Sequence, residues 1–187
     1  MLLDAAQIYD AARAMCGGRL LASQVEGLSG LIGAWTRDHA KDDPRWFAYI
    51  LATVQHETAR SFLPIEEAGC GAGKAYGTRF YGRGYCQLTW EANYARFGKL
   101  LGVDLVGAPE RALDPALAGP ILFRGMIDGL YTGRRLDQYI AGGRCNFVGA
   151  RRVVNGEDKA TLIASYARAY LRALGCGAEG AACSKAA

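Results

Sequence analysis

The chain holds two histidines, His39 and His56, no Cys-x-x-Cys pair and no apolar run long enough to cross a bilayer. Each absence removes a class of function. Structural zinc is held by closely spaced cysteine and histidine, and six cysteines scattered as Cys16, Cys70, Cys86, Cys145, Cys176 and Cys183 do not offer that spacing. No metal or cofactor is therefore expected. Six cysteines allow 15 pairings. Two readings stay open: free buried thiols, or disulfides, of which Cys176 with Cys183 is the easiest local closure. The start MLLDAAQIYD lacks a basic leader, and Asp4 interrupts its apolar stretch, so no secretory signal is read there. Excess charge is also small. Lys plus Arg number 22 against 18 Asp plus Glu, a net +4 spread along the chain. That balance would suit an anionic polymer such as a bacterial wall or a nucleic acid, though many ordinary proteins are this basic; neither a nucleic-acid partner nor membrane insertion is expected.

What is present is a core. With 187 residues and 51% hydrophobic composition, one well-buried domain is expected, over 1–175, with residues 176–187 as a short small-residue tail. Helical signals recur. Ser23 and Glu26 form a capping-box pattern ahead of Val25, Leu28, Leu31, Ile32 and Trp35, a helix ending near Ala40. Asp43-Pro44 starts the next, with Phe47, Ile50, Leu51 and Val54 as its buried stripe and His56-Glu57 in its last turn. Thr89 is placed to cap a helix through Tyr94, Phe97 and Leu101 to Gly102. Asp114-Pro115 opens another, which Pro120 should kink or restart. The last runs from about Asp158 to Leu174, with Gly175 as its stop. Residues 68–88 differ: glycines alternate with Tyr76, Phe80, Tyr81 and Tyr85, the composition of a loop or short hairpin. The fold class is mainly α.

Two kinds of carboxylate stand out. Glu57 closes an apolar helical run, and Glu66-Glu67 follow Pro64. A carboxyl with apolar backing can hold its proton while a solvated one stays ionised, which is the division of labour between a general acid and a general base. On one continuous helix, ten residues at ~1.5 Å each would separate Glu57 from Glu67 by ~15 Å, beyond the roughly 5–9.5 Å of glycosidase carboxyl pairs. Pro64 biases Leu63 out of helical angles, so the chain is expected to turn and bring Glu67 back toward Glu57. The bland alternative is a pair of ordinary surface glutamates.

HETARSFLPIEEAG, followed by YGTRFYGRGYCQLTWEANY, resembles glycoside hydrolase family 19, the chitinases and related phage endolysins. SQVEGL, ALDPALAGPILFRGMIDGLYTGRRL and ARRVVNGEDKATLIASYARAY extend the resemblance over nearly the whole chain to about Gly175. It implies a lysozyme-like fold of the α+β lysozyme superfamily, with helices around a substrate cleft. It implies inverting hydrolysis of β-1,4 bonds in N-acetylated wall glycans: Glu57 as the general acid, Glu67 as the base of the endolysin branch, and Thr89 helping to hold the attacking water. Glu66 is the lesser candidate for the base. Gln87, Asn93 and Asn155 match positions that reach substrate amide or hydroxyl groups. Tyr76, Tyr81, Tyr85 and Trp90 are candidate sugar platforms, at least half of them equally readable as core. His56 is read as a hydrogen-bonded neighbour orienting the cleft. Arg83, between two glycines, is read either as touching substrate or as neutralising Glu67.

The spacing of the two acids favours peptidoglycan and a lysozyme-type endolysin, with chitin as the alternative substrate and a non-catalytic wall-binding protein on the same scaffold as a third reading. A monomer is expected, made in the bacterial cytoplasm and acting at the wall after release. A zinc protease is disfavoured, because Arg60 stands where a second histidine would follow one turn after His56.

Overall fold

A computed structural model describes residues 3–176. Six helices carry the fold: α1 (Ala5–Met15), α2 (Ala22–Asp38), α3 (Pro44–Glu57), α4 (Glu91–Leu101), α5 (Pro115–Ile127) and α6 (Ala160–Ala173). Two short antiparallel pairs accompany them, β1 (Ile65–Glu66) with β2 (Arg83–Gly84) and β3 (Ile140–Ala141) with β4 (Arg144–Cys145). The mainly helical expectation is met. No helix among the described residues is long and apolar enough to cross a membrane.

Start signals act as read at α3 and α5, and Asp4, not read as one, does the same at α1. Asp4, Asp43 and Asp114 each accept from the backbone N–H groups of the first turn, and Pro44 and Pro115 fill positions whose N–H groups would have had no helical partner. Elsewhere the outcome differs. The first residue flanking α2 is Leu21, whose N–H is taken by Gln24 at 2.7 Å, so Gln24 rather than Glu26 closes that end. Trp90, not Thr89, precedes α4, and no side chain caps it. Pro120 neither restarts nor ends α5, which runs on through it. At the sixth position a proline forfeits only one backbone bond, early in the helix, while Ala118, Ile121, Leu122 and Phe123 stay buried.

α3 is the centre of the molecule. Every residue from Phe47 to Gln55 is buried, and α6 packs along it. Removing Phe47, Ile50, Leu51 and Val54 from water contributes roughly 6–12 kcal/mol, at about 1.5–3 kcal/mol per large apolar side chain. The buried Gln55 amide is spanned by Tyr170 of α6, whose hydroxyl donates to Oε1 at 2.5 Å. A second, smaller cluster of Phe80, Leu88, Tyr94, Phe97, Leu105, Ala112 and Ile121 lies beneath α4 and the glycine-tyrosine segment. α5 serves both clusters, giving Ile121 to one and Leu122, Phe123 and Met126 to the other. Glu57 rises from the first cluster, and the glycine-tyrosine segment covers the second.

Cys16, Cys70 and Cys86 carry free thiols. Cys176 is disulfide-bonded, and Cys183 lies outside the described residues. The tail read at 176–187 falls outside them from residue 177.

Candidate active site

Glu57 is the last residue of α3, and the chain reverses sharply behind it. Thr58 makes the reversal: its buried hydroxyl donates to Val54 O at 2.8 Å and accepts from Phe62 N–H at 3.1 Å. Three residues without glycine's freedom take left-handed angles there, Ala59 (φ 48°), Arg60 (φ 70°) and Phe62 (φ 57°). Such angles cost about 1–2 kcal/mol each and persist only where surroundings enforce them. Here α2 enforces them. Gln24 Nε2 donates to Arg60 O at 2.7 Å, and a Cβ on Gly27 would stand 2.2 Å from Phe62 O. The obstructing atom is backbone, so Gly27→Ala should push α2 off the reversal, costing about 1–3 kcal/mol as overpacking does. The check is a melting curve together with hydrolytic rate, and an unchanged melting temperature refutes the contact.

The carboxylate of Glu57 is not backed by apolar side chains alone. Arg151, 2% exposed, donates through one terminal nitrogen to Glu57 Oε1 at 2.5 Å, while its Nε donates to Asp158 O at 3.0 Å. Glu57 keeps 20% of its side chain open. This corrects the sequence expectation of a purely apolar setting. Arg151 lies in the 3-10 turn Gly149–Val153, inside ARRVVNG, but with Arg152 beside it no periodicity singles out the inward arginine. The buried Cys86 thiol, already raised by burial, is raised further by Glu57 and lowered by Arg151.

Glu67 is held differently. β1 and β2 pair Ile65 with Gly84 and Glu66 with Arg83, and the ladder continues with Glu67 N–H to Gly82 O at 2.8 Å. Gly82 N–H donates back to Glu67 Oε2 at 3.0 Å, and the Tyr76 hydroxyl donates to Oε1 at 2.5 Å. The Tyr76 bond, then the Gly82 bond, hold the carboxyl below the usual carboxylate range, with a smaller contribution from Lys74. One acid thus has a guanidinium partner, and the other has two neutral donors.

Arg83 is corrected on both of its readings. It is 6% exposed, lies 3.6 Å above the Tyr81 ring, donates to Arg79 O and Tyr94 Oη, and faces Glu66 Oε1 at 3.6 Å. It therefore touches Glu66 rather than Glu67, and it is enclosed. Tyr81, 8% exposed, donates to Glu66 at 2.5 Å and its hydroxyl is pushed up to about 12, first by that bond. Tyr85, 4% exposed, is pushed up to about 12 by burial. Both rings are core. Tyr76 and Trp90 remain as open aromatics, meeting edge to face with centroids 5.6 Å apart and Trp90 49% exposed.

Gln87 (φ 54°) sends Nε2 to Ile65 O at 3.3 Å, tying the QLT segment to β1. Asn93 Nδ2 donates to Thr89 O at 2.9 Å, and Thr89, half-buried, has no side-chain hydrogen bond among the described residues. Its hydroxyl is not spent on a cap. Half-buried His56 likewise makes no side-chain hydrogen bond among them, against the expectation of a bonded neighbour. Asn155 lies on the Glu57 side, its N–H on Arg151 O at 3.0 Å and its Oδ1 accepting from Gly156 N–H. No group of three or more cation-ligating side chains occurs among the described residues.

Residues 32–122 match the family model for chitinase class I, glycoside hydrolase family 19. Over 118 residues the chain is 32% identical to acidic endochitinase SP2 of Beta vulgaris, covering 56% of this chain and 41% of that protein. Over 78 residues it is 33% identical to inactive chitinase-like protein 1 of Hevea brasiliensis, covering 42% of this chain and 23% of that one. The chain therefore spans less than half the length of these curated relatives. Chitinase C of Streptomyces griseus superimposes with a TM-score of 0.65 at 23% identity, covering 95% of this chain and 78% of that one. A bacterial family 19 chitinase does so with a TM-score of 0.59 at 20% identity, covering 96% and 98%. Over residues 32–122 this chain is similar to glycoside hydrolase family 19, and it shares the fold of the family's solved chitinases.

Proposed function

We propose that the chain hydrolyses β-1,4 bonds of N-acetylated wall glycans by single displacement with inversion, with peptidoglycan as its substrate. The observation that carries this is the unlike holding of two carboxylates: Glu57 against the buried Arg151, and Glu67 between Tyr76 and the Gly82 amide. Glu57 protonates the glycosidic oxygen through Oε2, since Oε1 is occupied by Arg151. Negative charge develops on Glu57 as the proton leaves, and a guanidinium already in place stabilises it without reorganisation. Glu67, ionised well into acid, takes the proton of the attacking water, and the unspent hydroxyl of Thr89 holds that water. Trp90 offers a flat apolar face to a sugar ring. Asn93, Gln87 and Asn155 reach substrate amide or hydroxyl groups, and the protein acts as a monomer.

Chitin is the second reading, favoured by the names of the relatives, which are endochitinases and chitinases. One relative's name includes the word inactive, so sequence likeness alone does not carry the activity. Turbidity loss of outer-membrane-permeabilised bacteria, measured beside sugar release from colloidal chitin, decides among the readings. The expected result is lysis, with the α-anomer in NMR of the fresh product. Release from chitin alone selects the second reading, a β-anomer excludes direct inversion, and binding without hydrolysis of either polymer leaves a wall-binding protein.

A further inference from the structure

We infer that Tyr76 is the positioning residue of Glu67, its hydroxyl fixing the carboxylate while its ring is braced by Trp90 at the open face. The inference rests on Glu67 being the base proposed above. A carboxylate on a two-residue strand end is a poor base unless something stops its rotation, because water capture depends on where its lone pairs point. Glu67 has two such stops. Gly82 N–H fixes Oε2 from the chain entering β2, and Tyr76 Oη fixes Oε1 from the loop between the strands. Two donors on four lone-pair directions leave the remaining directions for water.

The neighbouring acid supplies the contrast. Glu66 also receives a tyrosine hydroxyl, from Tyr81, but that ring is enclosed and covered by the Arg83 guanidinium at 3.6 Å. There the tyrosine and the arginine are buried, while Glu66 itself is exposed. The Tyr76 ring is half-buried and meets Trp90 edge to face, and Trp90 has its backbone N–H anchored on Phe80 O at 3.0 Å and its side chain 49% exposed. A sugar lying on Trp90 therefore sits against the ring that holds the base. Among charged groups, Lys74 from the same loop faces Glu67, while Glu66 is turned to Tyr81 and Arg83. Gly82 adds a neutral amide, and Tyr76 is the strongest single influence on the Glu67 carboxyl.

The test is Tyr76→Phe, which keeps the ring and removes only the donor, alongside Glu67→Gln, both checked by melting curves. The pH dependence of hydrolysis is measured on whichever wall polymer is cleaved, and Glu67 is titrated by carboxyl 13C NMR in wild type and in Tyr76→Phe. The expected result is an upward move of the Glu67 titration, an acid limb that fails at higher pH, and a fall in kcat of roughly tenfold or more with little change in KM. If Glu67→Gln is inactive but neither the limb nor the titration moves in Tyr76→Phe, the positioning role is overturned and the base assignment stands. If Glu67→Gln hydrolyses normally, the base assignment itself falls, and with it the meaning of the Tyr76 contact.

Discussion

Glu57→Gln is expected to reduce hydrolysis by about a thousandfold or more, within the roughly 10²–10⁴ that a positioned proton donor supplies, while the fold survives with a lowered melting temperature. The amide keeps an oxygen where Arg151 now donates to Glu57 Oε1, so the hydrogen bond can persist. What is lost is the transferable proton, and with it the charge that Glu57 would present to a guanidinium that is 2% exposed. Glu57→Ala should therefore be the less stable of the two variants although both lack the proton, because it leaves that buried cation with the Asp158 carbonyl as its remaining acceptor and none for its terminal nitrogen. Equal melting temperatures for the two would refute the described pairing. Wild-type hydrolysis by Glu57→Gln would refute the acid. Polymer binding is measured in parallel, by pull-down with the insoluble wall, to separate lost chemistry from lost affinity.

Arg151→Met is expected to cost about 2–4 kcal/mol, somewhat under the 3–5 kcal/mol of breaking a fully enclosed ion pair, because Glu57 opens in part to solvent. At about 2–4 °C per kcal/mol for a chain of this size, the melting temperature should fall by roughly 4–16 °C. Activity should fall with it even at temperatures where the variant is folded, since the charge left on Glu57 after proton transfer loses its stabilising partner. A double-mutant cycle with Glu57→Gln isolates the pair: the double variant should lose less stability than the two single losses added. Additive losses would mean that Arg151 serves α6 through its bond to Asp158 O and does nothing for Glu57.

The parts of this arrangement that could be read in the sequence are those set by neighbours along the chain. Asp43-Pro44 and the stripe from Phe47 to Val54 mark α3 because caps and helical spacing are local. Pro64 signals that the helix cannot continue, but the reversal itself is made by Thr58 and enforced by α2, which no local signal announces. What could not be read depends on register and distant contact. Arg83 meets Glu66 rather than Glu67 because the strands pair residue 66 with residue 83, and a shift of one would have exchanged the two acids. Thr89 has the composition of a cap, yet the positive φ of Trp90 places the helix start one residue later. Thr58 reads as one letter of a motif, and only the Phe62 amide above it shows why a hydroxyl is needed.

The Glu57–Arg151 contact joins residues 94 positions apart. A growing chain releases the acid from the ribosome long before the arginine, and α3 long before α6, which packs along it. Contacts this remote in sequence are closed late, after loop entropy has been spent on nearer ones. Until then the nascent protein holds an unpaired helix-end carboxylate and no assembled proton donor. In the proposed mechanism the acid thus waits for an arginine far along the chain, so that a segment ending before Arg151 carries the motif without its partner.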